Sequence, residues 1–184
     1  MHEVDRVNFQ LFHLINDLAG RWQPVDQLVR FAAVDLIFVV FAVAAIPCVA
    51  AVRRREFRPL VCLGIALVVA FGLSQALSHT SRERRPFQDH VVHQLIPHGP
   101  GISLPSDHAT AAFALAFGVW AFLSRRIGAI LTVAALLIGL ARVWAGVHYP
   151  GDILAAAIIA ALATFAVHVT DVGARDLPPL RLRA

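Results

Sequence analysis

Three short segments of this 184-residue chain carry polar groups that its apolar surroundings do not require. The first reads Ser81-Arg82-Glu83-Arg84-Arg85-Pro86-Phe87. Arginine binds phosphate oxygens in a planar, bidentate way and stays charged at any relevant pH, so a phosphate suits such a cluster. An exposed basic loop touching anionic lipid headgroups would have the same composition. The second reads Leu104-Pro105-Ser106-Asp107-His108, in which Ser106 has the chemistry of a helix N-cap and Asp107 and His108 fall in the first turn. A helix N-terminus offers unpaired N–H groups and a partial positive charge, a natural anion site. Here it adds a hydroxyl and an imidazole, although a well-capped helix with an interfacial histidine reads the same way.

The third segment, His148-Tyr149-Pro150-Gly151-Asp152, places proline at a plausible first helical position and a carboxylate four residues beyond a histidine. At that spacing Asp152 can reach one ring nitrogen of His148. The contact fixes the tautomer, frees the opposite nitrogen as an in-line nucleophile and stabilises the cation formed on attack. Arg142, six residues earlier, can clamp a transferring phosphoryl group. A lone interfacial histidine is more often structural, so the weight rests on all three segments sharing one face of the fold.

The elements that must position them are helices in a bilayer. The chain is 58% hydrophobic and 15% charged, too apolar for a soluble domain of this size. A spanning helix needs about 20 apolar residues. Residues 31–52, 59–78, 107–123, 127–147 and 151–169 qualify, giving an all-α integral membrane protein with a bundle of about five transmembrane helices. Before them, Val4, Val7, Leu11, Leu14, Ile15 and Leu18 recur at helical spacing against a polar set, which predicts an amphipathic helix in the interface. The chain reads as one domain: an N-terminal segment 1–24, a bundle 25–170 and a cytoplasmic tail 171–184. The start has no secretory-signal pattern.

All cationic side chains other than histidine are arginines, and none clusters away from the apolar runs, which argues against nucleic acid as a partner. Arg53, Arg54, Arg55, Arg58, Arg125, Arg126, Arg175, Arg181 and Arg183 share one side, which the positive-inside rule makes cytoplasmic. The three segments then lie outside; a sixth span at the N-terminus would move only that terminus. Cys48 and Cys62 read as small buried hydrophobes. His79, His90, His93 and His98 have no metal-ligand spacing, so no metal is expected. Asp35, early in the first span, has no assigned role.

Together these residues resemble the type 2 phosphatidic acid phosphatase superfamily. Its signatures, Lys-x6-Arg-Pro, Pro-Ser-Gly-His and Ser-Arg-x5-His-x3-Asp, match Arg85-Pro86, Pro105-Ser106-Asp107-His108 and Arg142-x5-His148-x3-Asp152. The resemblance implies His148 as nucleophile, Asp152 as its orienting partner, His108 as proton donor to the leaving group, and Arg85, Ser106 and Arg142 as phosphate ligands. Ser78 stands where the signature has lysine, so a second basic ligand from this segment must be Arg82 or Arg84. Asp107 replaces the glycine and is grouped with the phosphate-binding set, and Ala141 replaces the serine. The wording is similar to the bacterial undecaprenyl-pyrophosphate phosphatase branch. This implies metal-independent, cofactor-free hydrolysis of a polyprenyl pyrophosphate at the outer face of the plasma membrane, with the phosphate held between two helix N-termini. A phosphatidate, phosphatidylglycerol phosphate or other phospholipid phosphatase would carry the same signatures, and a non-catalytic anionic-lipid binder or transporter is the alternative of another class. Oligomeric state is not legible.

Overall fold

The computed structural model describes residues 3–175. Among them lie eight helices: α1 (Glu3–Asn16), α2 (Gln23–Val34), α3 (Leu36–Arg53), α4 (Phe57–Thr80), the single turn α5 (Pro86–Asp89), α6 (Asp107–Phe122), α7 (Arg125–Trp144) and α8 (Pro150–Arg175). α3, α4, α7 and α8 are each long and apolar enough to cross a membrane. The fifth expected span is α6, whose 16 residues reach about 24 Å, short of a ~30 Å hydrocarbon core. It lies at the centre, packed on α3, α4, α7 and α8, with Ala109, Ala112, Ala116 and Val119 fully buried. An enclosed helix need not match the lipid thickness, and its small residues let the four outer helices approach closely.

The expected first span, 31–52, is cut at Asp35. The residue keeps helical dihedrals (φ −100, ψ −26) and donates its N–H to Phe31, but it ends α2 and starts α3, with its side chain exposed. Along the outside of the bundle run Phe38, Val68, Ile130, Leu154 and Phe165, all exposed as lipid-facing residues must be.

α1 lies against α7 and α8. Its apolar stripe points away from the protein, with Leu14 71% exposed, while Phe12 and Asn16 on the other side are fully buried. The membrane is therefore the partner of the stripe, as an interfacial helix requires. At the far end of the bundle the α3–α4 and α6–α7 turns adjoin across a cleft lined by Arg54, Glu56, Leu123 and Ser124. That end gathers the basic residues from Arg53 to Arg58 together with Arg125 and Arg126. α8 continues to Arg175, and Arg181 and Arg183, with the tail from residue 176, lie outside the described residues.

Candidate active site

Five residues join α7 to α8, and they set the position of His148. Gly146 has φ +78, a conformation side chains disfavour, and a Cβ there would come 2.7 Å from the His93 carbonyl oxygen. Beyond this turn the chain runs inward, leaving His148 1% exposed. Its Nδ1 lies 3.0 Å from Asp152 Oδ2 and its Nε2 lies 2.9 Å from Arg85 Nη1. A guanidinium only donates, so Nε2 accepts and the proton sits on Nδ1, donated to the carboxylate. Burial lowers the pKa of His148 well below the ordinary histidine range, and the charges of Arg142 and Arg85 lower it further. The ring is neutral at pH 7 with its lone pair on Nε2, the state a nucleophile needs.

Asp152 is held from several directions. Its Oδ2 also accepts from the Tyr149 N–H at 2.8 Å and from the Ser103 hydroxyl at 2.5 Å. Ser103 is fully buried and its Oγ is 3.4 Å from His148 Nδ1. Backbone pairing places it there: Ser103 N–H donates to the Glu83 carbonyl at 2.8 Å, beside an antiparallel bridge between Arg84 and Ile102. The arginine segment and the segment entering α6 are thus joined next to His148.

Of the three clustered arginines, only Arg85 reaches His148, and its Nη1 also donates to the Val147 carbonyl at 3.2 Å. Arg82 and Arg84 line a separate cleft of about 400 Å³ with Asp5, Asn8, Phe9 and Tyr149, where Arg84 pairs with Asp89 at 3.0 Å. Neither is brought to His148 as a substitute for the missing lysine. Arg142, 3% exposed in the last turn of α7, donates to the Ala33 carbonyl at 3.2 Å near the C-terminus of α2. Orphan carbonyls at a helix C-terminus favour a cation. The Nε atoms of Arg85 and Arg142 are both buried, and neither has a hydrogen-bond partner among the described residues. A buried donor left unmade is costly, and an anion between the two would satisfy both.

Ser106 caps α6 as its type predicts: it is buried, its hydroxyl accepts from Ala109 N–H at 3.5 Å, and its carbonyl accepts from Thr110 N–H at 2.8 Å. The amides of Asp107 and His108 are left without intrahelical acceptors. The start of α8 differs. Pro150 has no N–H, Gly151 N–H donates to Asn8 Oδ1 at 2.8 Å, and Asp152 N–H donates to the Tyr149 carbonyl at 3.0 Å. The expectation of a phosphate between two helix N-termini is therefore corrected: of the two, α6 alone presents free amides, because Asn8 of α1 takes that of Gly151 and the Tyr149 carbonyl takes that of Asp152. His108 is partly exposed in the first turn of α6, close enough that a proton on its ring, like one on His98, would lower the pKa of His148. Asp107 is exposed, and its charge acts on Arg85.

Three contributors escaped the sequence reading: Ser103, Asn8 and His98. The remaining loop histidines disperse. His90 packs its ring on Phe9 at 4.4 Å, His93 exchanges backbone hydrogen bonds with Asn16, and His79 is exposed at the end of α4.

Comparison with known proteins gives a consistent picture. The profile of the PAP2 superfamily matches residues 59–175. The chain is 30% identical over 159 residues to undecaprenyl-diphosphatase BcrC of Bacillus subtilis (strain 168), covering 86% of this chain and 81% of that protein. It is 33% identical over 153 residues to putative undecaprenyl-diphosphatase YbjG of Escherichia coli (strain K12), covering 82% and 76%. Among solved structures it is similar to Aquifex aeolicus LpxE, with a TM-score of 0.70 and 25% identity over 88% of this chain and 94% of that one. The fold is also that of a transmembrane PAP2-type phosphatidylglycerolphosphate phosphatase from Bacillus subtilis, with a TM-score of 0.70 at 20% identity, covering 100% of this chain and 90% of that one.

Proposed function

The chain belongs to the PAP2 superfamily, a multi-pass membrane phosphatase, and from that premise we propose that it hydrolyses a polyprenyl diphosphate to the monophosphate through a phosphohistidine on His148. The observation that carries the reading is the pairing of His148, with Nδ1 on Asp152 and Nε2 on Arg85. Nε2 attacks the terminal phosphorus while the bond from phosphorus to the bridging oxygen breaks, and the electron pair leaves on that oxygen. His108 supplies the proton the leaving group takes. Water then attacks the phosphohistidine, gives its proton to His108, and releases inorganic phosphate with His148 restored.

Arg85 must move off Nε2 as the phosphoryl group arrives. Its guanidinium, that of Arg142 and the first amides of α6 would then meet the equatorial oxygens, where charge builds in the transition state. This fixed positive field supplies what a divalent ion gives other phosphatases, so the reaction is metal-independent in this reading. The lipid-diphosphate substrate rests on the two undecaprenyl-diphosphatase relatives, one of them putative, and on the Arg-Pro-Phe and Pro-Ser-Asp-His wording of the motifs. Arginine placement supports an extracytoplasmic site, and the bacterial sources of the same relatives support a bacterial plasma membrane.

The test offers purified protein undecaprenyl diphosphate and phosphatidate in one detergent, with and without excess chelator. Phosphate release from the diphosphate that persists in chelator and is lost in His148→Ala is expected. Preference for phosphatidate would replace the substrate, and activity in His148→Ala within a few-fold of the parent would remove the phosphohistidine.

A further inference from the structure

A third imidazole stands at the mouth of this site, and the chemistry described so far does not use it. His98 belongs to the loop between α5 and α6, and its ring centroid is 6.2 Å from that of His148 at an interplanar angle of 82°. Phe87 backs it at 6.4 Å. Its Nδ1 lies 3.0 Å from the Gly99 carbonyl oxygen, so Nδ1 carries a proton toward that acceptor. Nε2 has no hydrogen-bond partner among the described residues. His148 is sealed, whereas His98 is partly exposed, which puts it between the nucleophile and the outside. The charges that act on it are those of the site, Arg85, Arg142 and Asp107.

A lipid diphosphate differs from a lipid monophosphate in what departs. In-line displacement puts the leaving oxygen opposite His148 Nε2, on the open side of the transferred phosphorus. From a monophosphate ester the departing group is an alcohol. From a diphosphate it is a second phosphate, with charged oxygens that extend toward the mouth. Arg85, Arg142 and the α6 amides are assigned to the transferred group and His108 to the bridging oxygen, so the non-bridging oxygens of the departing phosphate require a donor of their own.

We propose that His98 is that donor: its Nε2 binds the phosphate that leaves with the lipid and makes the site selective for diphosphates over monophosphates. This rests on the lipid-diphosphate reading above. In the empty protein, burial and the two arginines hold the His98 pKa below the ordinary histidine value. The negative charge of a diphosphate opposes that effect and favours the protonated ring, which can donate from Nε2. Because the ring sits on a loop at the mouth rather than in the helical core, its replacement leaves the packing of α6, α7 and α8 intact.

The experiment compares farnesyl diphosphate with farnesyl monophosphate, which share one tail, on purified full-length protein in a single detergent. Parent, His98→Ala and His98→Gln are assayed for kcat/KM on each. The ratio of diphosphate to monophosphate kcat/KM is expected to fall at least tenfold in His98→Ala and to recover in part in His98→Gln, which keeps an N–H donor. General damage to the fold lowers both substrates together and leaves the ratio unchanged. A ratio within threefold of the parent in both variants therefore overturns the assignment of His98. A parent that releases no phosphate from farnesyl diphosphate overturns the lipid-diphosphate reading and His98 with it.

Discussion

Ser103 shows how much of the proposed catalytic pair can depend on a residue outside any signature. Its hydroxyl donates to the carboxylate oxygen that holds the His148 ring, from a fully buried position. Removing it takes away one of three donors to that oxygen, at a cost of about 1–3 kcal/mol, and loosens the hold on Asp152. Ser103→Ala is expected to lower kcat about tenfold or more with KM nearly unchanged, because the substrate does not touch this hydroxyl. Steady-state kinetics beside a melting curve checks this, and a rise in KM alone would contradict it. Glu83 gives a prediction in pH. Burial, then the charges of Asp152 and Asp5, raise its pKa from 4.5 to about 7. Between those values the native state binds the proton that the unfolded chain has released, so stability falls as pH rises through this window. Glu83→Gln keeps an acceptor for the Asn8 amide, now 3.3 Å from Glu83 Oε1, and has no proton to lose. The variant should melt like the parent near pH 4.5, gain on it as pH rises to about 7, and hold a constant advantage above. A constant difference across the whole range would refute it.

At the scale of elements, what was legible in the sequence divides by distance along the chain. The His148–Asp152 pair lies within one helical turn, so its spacing alone announced it, as did the Ser106 cap. Arg85 was legible from its place in the signature, whereas the fate of Arg82 and Arg84 was not, because Arg84 is taken by Asp89, which no local pattern marks as its partner. Ser103 was hidden for the same reason, since its position depends on pairing with Glu83 twenty residues earlier in the chain. The periodicity of α1 announced an amphipathic helix with an exposed apolar stripe, but did not say where its polar residues point. Two of them face the protein: Asn8 bonds Gly151 and Glu83, and Asn16 bonds both backbone groups of His93 and the Trp144 carbonyl. Phe12 sits between them, fully buried against Tyr149 at 5.4 Å. Phe12→Ala should cost about 3–5 kcal/mol. Asn8→Ala should cost less, about 1–3 kcal/mol, yet lower turnover more than Arg6→Ala, whose side chain is exposed. Thermal melts and turnover of the three variants, measured together, test whether α1 is part of the active site or merely beside it.

For the whole molecule, the arginine asymmetry and the alternating helices are the ground for the proposed orientation. Val91 is almost fully exposed on the active-site end and Glu56 is exposed in the α3–α4 turn at the other. A cysteine placed at Val91 should react from outside the cell with a reagent that cannot cross membranes, and one at Glu56 only after permeabilisation; the reverse would invert the protein. Cys62 is buried and Cys48 lies within α3, so neither should compete for the label. The two sides of α1 then connect scales that are usually separate. One side is pressed into lipid through Val7, Leu11 and Leu14, and the other is bonded to the residue next to Asp152. Lateral pressure in the leaflet is therefore expected to reach the loop that carries His148: stretching, thinning or curving the membrane should change turnover without any change in substrate concentration.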